Sequence, residues 1–95
     1  MDQQKIVEMR KKVKILQREL RRLGPVMRGS VVIIGTRNKQ SYFSLNKNKK
    51  THLIYLGAKR QAKAREYSAN YKRLLEIVEE MTLLNMQLLK EDPCP

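Results

Sequence analysis

Residues 28–57 read RGSVVIIGTRNKQSYFSLNKNKKTHLIYLG. Three apolar runs, Val31-Val32-Ile33-Ile34, Tyr42-Phe43-Ser44-Leu45 and Leu53-Ile54-Tyr55-Leu56, are rich in the β-branched and aromatic residues that favour strands. Clusters of Gly, Asn and Lys between them suit chain reversals. The segment predicts three antiparallel strands, near residues 30–37, 40–46 and 51–57. Arg37-Asn38-Lys39-Gln40 reads as a tight turn. Asn46-Lys47-Asn48-Lys49-Lys50 reads as a longer one, with Asn where a positive φ is needed. Gly57 is expected to close the third strand and release the chain into a helix. Alternation divides the strand residues between two faces. Phe43, Leu45, Ile54 and Leu56 are expected to face a core, and Tyr42, Ser44, Leu53 and Tyr55 to form the opposite face.

From Pro25 to Arg60 the chain carries eight Lys and Arg residues and no Asp or Glu. Arg28, Arg37, Lys39, Lys47, Lys49, Lys50, Lys59 and Arg60 fall before, between and after the strands, so cations are expected to border a flat surface at both ends. An uncompensated positive field of this kind suits a polyphosphate. The rim would grip phosphates while Tyr42, Ser44, Thr51, His52 and Tyr55 read bases. The plainer alternative is that Tyr42, Phe43, Tyr55 and Leu56 all serve the core, and alternation alone must assign some of them to it.

On either side of this segment the sequence turns helical. Ile6, Met9, Val13, Leu16, Leu20 and Leu23 repeat with spacings of 3 and 4, a heptad seam that predicts a helix over residues 1–24. Gly24-Pro25 ends it. A second helix is predicted over residues 59–91, with the seam Ala64, Tyr67, Tyr71, Leu74, Val78, Met81, Asn85 and Leu88, widened by Ile77 and Leu84. Two such seams joined through a sheet predict an α+β chain whose helices pair as an antiparallel, coiled-coil-like hairpin. The longer helix keeps apolar surface to spare, and Leu74, Ile77, Val78, Met81, Leu84, Asn85 and Leu88 are expected to form a homodimer interface. In it, Asn85 would fix register as a buried amide or, at a helix end, simply touch water.

The remaining features bound the function. Ninety-five residues make a single small domain with a thin core, followed by a disordered tail at 92–95. The net charge of +12 is uneven: residues 76–95 hold one basic and five acidic groups, against eight basic and three acidic in residues 1–24. The one cysteine, Cys94, can form no internal disulfide, and nothing fixes a base beside it. With His52 the only histidine, neither a metal cluster nor a His-based dyad can be assembled. Glu76, Glu79, Glu80 and Glu91 read as a solvated helix face, and the four glycines make no phosphate loop. Neither an enzyme, a cofactor, a metal site nor a small-molecule substrate is expected. The basic first helix has too narrow an apolar stripe for a bilayer, and no stretch of about 18 apolar residues occurs. The chain reads as cytoplasmic.

Two resemblances add to this. Arg28-Gly29-Ser30-Val31, Tyr42-Phe43-Ser44-Leu45 and Ile54-Tyr55-Leu56-Gly57, followed by Asn70-Tyr71 and Leu84-Asn85-Met86-Gln87-Leu88-Leu89, resemble an uncharacterised family of short basic prokaryotic proteins. Asn48-Lys49-Lys50 stands where that family has a Gly-Lys turn. Residues 29–65, with a basic turn before the third strand, Tyr55-Leu56-Gly57 and the alanines Ala62 and Ala64, are similar to the arm-type DNA-binding domain of tyrosine integrases. That likeness implies a sheet that enters the major groove. No recombinase catalytic residues follow, so a detached binding module is implied. The leading expectation is a dimeric protein whose basic sheets contact duplex DNA, acting as a regulator or mobile-element accessory factor. An RNA-binding protein stacking Tyr42 or Tyr55 on unpaired bases, and a coiled-coil adaptor docking an acidic protein, are the alternatives.

Overall fold

A computed structural model describes residues 3–91. The elements follow in the order α1 (Gln3–Arg22), β1 (Ser30–Ile34), β2 (Gln40–Lys47), β3 (Lys50–Tyr55) and α2 (Gly57–Glu91). This is the expected α+β chain: a helix, a three-stranded antiparallel sheet and a long helix. The tail expected at 92–95, with Cys94, lies outside the described residues. Among the described residues no helix is long and apolar enough to cross a membrane. The chain divides into two compact units, one of residues 24–72 and one of residues 1–23 with 73–95. α2 contributes to both.

In the sheet unit the strand order is β1-β2-β3. Val31 pairs with Phe43 and Phe43 with Ile54, so these three share a face. Phe43, Leu56 and Ala64 form the core, with Met27, Val31 and Leu45 packed against it. The helix thus lies over the middle strand. Phe43, Leu45 and Leu56 face inward as expected, but Ile54 does not reach cover and is 58% exposed. It sits on the outer strand β3, every residue of which is exposed. Ile33 on β1 is left open in the same way.

The segment before β1 is strapped along α2 by three hydrogen bonds. Asn70 Nδ2 donates to the Pro25 carbonyl (2.9 Å), the Met27 amide to the Tyr67 carbonyl (3.1 Å), and Ser68 Oγ to the Gly29 carbonyl (2.8 Å). Gly29 adopts φ 141°, and a Cβ there would meet the Ser44 carbonyl at 2.5 Å and the Phe43 ring at 2.8 Å. Only glycine fits so close an approach in that conformation.

Several expected limits move by two residues or more. β1 ends at Ile34, three residues early, because Gly35 takes φ 129° and leaves the strand direction. Gly57, at φ 66°, opens α2 instead of closing β3. The first helix stops at Arg22, where the Leu23 amide bonds back to the Leu20 carbonyl.

In the helical unit α1 and the C-terminal part of α2 run antiparallel. Glu19 meets Arg73, Leu16 and Leu84 line one open cleft between the two helices, and Val13 and Leu88 line another. On α1, Ile6 and Leu16 are buried while Met9 and Val13 are half-buried, as is Leu23 just after the helix. Leu20 is exposed, against expectation, and Glu19 occupies the neighbouring half-buried place. On α2 the seam is Leu74, Ile77, Met81, Leu84 and Leu88, a 3-4-3-4 repeat one residue away from the register expected at Val78 and Asn85. Those two are exposed. Adjacent apolar residues at 77 and 78 allow either register. Ile77 takes the core position because it shares a stripe with Leu84 and Leu88, whereas Val78 shares one with Asn85.

The interface expected for a second copy changes accordingly. Ile77 is fully buried and Leu88 nearly so within the chain, so neither is available to a partner. Exposed apolar surface on this part of α2 comes instead from Leu75, Val78, Leu83, Met86 and Leu89. Asn85 lies in an open groove with Arg10, Val13, Lys14, Gln17, Leu88 and Leu89, and is not a buried amide of the intrachain seam.

Arg73 organises the polar edge of this hairpin. Its Nη2 and Nε donate to the two carboxylate oxygens of Glu19, the former at 2.7 Å, and its Nη1 lies 2.9 Å from Glu76 and 3.5 Å from Glu80. Hydrogen bonding to Arg73 holds the Glu19 carboxyl below the usual carboxylate range, with the guanidinium charge adding to it. A depressed folded-state pKa contributes stability above the unfolded value and loses it as pH falls through the folded one. Glu19→Gln is therefore expected to lower the melting temperature at pH 7. The gap to the parent should close as pH falls below about 4.3. Circular-dichroism melts across that range check it.

Candidate nucleic-acid interface

Cross-strand pairing sorts the sheet residues into rows. On the face turned away from the core lie the row of Val32, Tyr42 and Tyr55 and the row of Ser30, Ser44 and Leu53. Ile34 with Gln40, and Asn46 with Thr51, complete it. Tyr42 and Tyr55 meet edge to face, with centroids 5.7 Å apart and planes at 69°. Tyr55 Oη donates to Gln40 Oε1 (3.0 Å), and Thr51 Oγ1 to Asn46 Oδ1 (2.9 Å). Tyr42, Ser44, Leu53 and Tyr55 thus form the open face as expected, and Thr51 joins them. His52 does not. It pairs with Leu45 on the face of Phe43 and cannot share the surface of the two tyrosines.

The expected cations gather at the two ends of the strands. One end holds the β2–β3 hairpin with Lys47, Lys49 and Lys50, and Arg28, whose Nη1 donates to the Asn46 carbonyl at 3.0 Å. The other holds Arg37 and Lys39 in the β1–β2 loop, and Lys59 and Arg60 in the first turn of α2 after β3. Arg60 is partly committed, since its Nε donates to the Leu56 carbonyl at 2.9 Å. None of Arg28, Arg37, Lys39, Lys47, Lys49, Lys50 and Lys59 takes part in an ion pair among the described residues. The one acid between residues 24 and 72, Glu66, pairs with Lys63 at 3.2 Å.

The two turns exchange the lengths the sequence suggested. Residues 35–39 form the longer loop, and Lys47-Asn48-Lys49-Lys50 is a two-residue hairpin in which Lys47 pairs with Lys50. Asn48 (φ 53°) and Lys49 (φ 63°) both adopt the left-handed conformation, the signature of a type I′ turn. Asn tolerates it well; Lys does not, at a cost of roughly 1–2 kcal/mol. Like charges face each other at Lys47 and Lys50, which also destabilises a hairpin. Stability is thus given up at this tip while positive charge is concentrated there. Lys49→Gly is expected to stabilise the chain by about 1 kcal/mol, raising its melting temperature by roughly 4–8 °C while lowering polyanion affinity. A melt and a binding curve on the same sample test both signs.

Sequence reading missed a second basic feature. Arg65, Ser68, Ala69 and Lys72 lie along one face of α2 and, with Ser30 and Val31, line an open cleft of about 240 Å³ beside β1. Arg65 is positioned by Gln61. With its amide turned to satisfy both groups, Gln61 donates to Ser41 Oγ (3.0 Å) and accepts from Arg65 Nη2 (2.9 Å). The i, i+3, i+7 spacing of residues 65, 68 and 72 was the available signal.

Comparisons with protein-family models, curated proteins and solved structures give no match to this chain.

Proposed function

We propose that this is a nucleic-acid-binding protein whose basic sheet contacts duplex DNA, acting as a regulator or as a mobile-element accessory factor. One observation carries the reading. An open sheet face without carboxylates is bordered at both strand ends by cations that have no ion-pair partner among the described residues. Phosphates are the counterpart of such a rim, and contacts to them hold a reading surface in register. Three strands span about 10 Å between the outer two, comparable to a major groove about 12 Å wide. The likeness of residues 29–65 to an arm-type integrase domain supports the same placement.

Exposed Tyr55 favours a second reading, in which its ring stacks on an unpaired base of single-stranded nucleic acid. Gel shifts with duplex DNA, single-stranded DNA and RNA of matched length, each at two salt concentrations, decide between them. Duplex DNA is expected to bind tightest, with affinity falling steeply as salt rises. Absence of binding to all three at low salt would leave a basic adaptor for an acidic protein. We extend the proposal to a homodimer formed through the exposed stripe of Leu75, Val78, Met86 and Leu89 on α2.

A further inference from the structure

Between its two cationic ends the open sheet face exposes apolar side chains among its polar ones. Ile34 is 45% exposed, Leu53 46% and Tyr55 50%, with Val32 and Tyr42 half-buried among them. Two pairs of its polar side chains are turned on one another. The Tyr55 hydroxyl donates to Gln40 and the Thr51 hydroxyl to Asn46, while the hydroxyls of Ser30, Tyr42 and Ser44 make no side-chain hydrogen bond among the described residues. Around Ile34, Leu53 and Tyr55 the exposed side-chain surface is mostly carbon. It offers methyl and methylene groups. In the major groove, the apolar group that bases present is the C5-methyl of thymine, and 5-methylcytosine presents the same group.

We infer that the open face of the sheet, through Ile34, Leu53 and the Tyr42–Tyr55 pair, recognises the C5-methyl groups of pyrimidines in duplex DNA. This rests on the proposal that the sheet binds the major groove, and it names what the sheet would read there. The charge rim sets affinity on any duplex, whereas the apolar centre selects thymine-rich or cytosine-methylated sites. Burying one methyl group is worth roughly fourfold in affinity. The same contact would discriminate against uracil, which lacks the methyl, and hence against RNA.

The experiment compares one duplex in three chemical forms at fixed salt: thymine, deoxyuridine at every thymine, and the thymine duplex with 5-methylcytosine at every cytosine. The deoxyuridine duplex is expected to bind roughly fourfold more weakly for each methyl contacted, and the 5-methylcytosine duplex at least as tightly as the first. Leu53→Ser and Ile34→Ser, both at exposed positions, should abolish the thymine-over-deoxyuridine preference and leave the salt slope unchanged. Equal affinity for thymine and deoxyuridine duplexes, with a steep salt slope retained, overturns this inference and leaves DNA binding standing. Tighter binding to single strands than to the duplex overturns it as well. No duplex binding at low salt removes both it and the reading it rests on.

Discussion

Replacing Lys47, Lys49 and Lys50 together by Ala is expected to weaken duplex DNA binding by roughly 500-fold at about 0.1 M salt. The figure follows from counterion release. Each phosphate contact adds about 0.9 to the slope of log affinity against log salt, so three contacts account for two to three units. The loss should be nearly the same on every sequence, because phosphates carry no sequence information. Stability should hold or rise. The substitutions remove the like-charge pair across Lys47 and Lys50 and delete no core contact, although Ala at φ 63° is no easier to place than Lys. Titrations of parent and variant at four salt concentrations give both numbers. Unchanged affinity and an unchanged slope would remove this hairpin from the interface. A lost slope in a variant that melts early would instead mean that the sheet had come apart.

The hairpin also marks what the sequence could and could not convey. The strands were legible because β-branched and aromatic residues cluster in three runs, with Asn and Gly between them. The turn types were not, because nothing in Asn48-Lys49 says that a lysine will accept a left-handed backbone. That conformation is forced by the pairing of Lys47 with Lys50, a property of the assembled sheet. In the same way, alternation gave the two faces of β2 correctly but could not tell how far the helix would extend over its neighbours. Phe43 is covered and its cross-strand partner Ile54 is not. The cation set of the candidate site was legible as composition, and its gathering at both strand ends followed from strand order. The placement of His52 was not, since it depends on a register that shifts every side chain if it slips by one. Arg65 and Lys72 were not legible as part of it because they sit on the helix, on either side of Glu66, the acid that ends the carboxylate-free stretch.

Ile77→Ala is expected to lower the melting temperature of dilute protein by at least about 10 °C, while Val78→Ser, one residue on, should barely change it under the same conditions. Ile77 is completely buried in the seam between the helices, and truncating a buried Ile to Ala costs about 2–5 kcal/mol. In a chain of this size each kcal/mol shifts the melting temperature by roughly 4–8 °C. Val78 is 50% exposed, and substitutions at such positions stay within about 0.5 kcal/mol. The contrast tests the seam register directly, because the register expected from the heptad alone would reverse the two effects. It also isolates the dimer proposal from the fold. Leu75, Val78, Met86 and Leu89 contribute little to the single chain, so changing Met86 and Leu89 together to Ser should leave the melt of dilute protein nearly unaltered. If the stripe joins two copies, light scattering at high micromolar concentration will give about twice the 11.2 kDa chain mass for the parent and fall toward one chain for this variant. A parent that scatters as a single chain would remove the second copy from the proposal. It would leave the Ile77 result intact, since that seam is closed within one molecule.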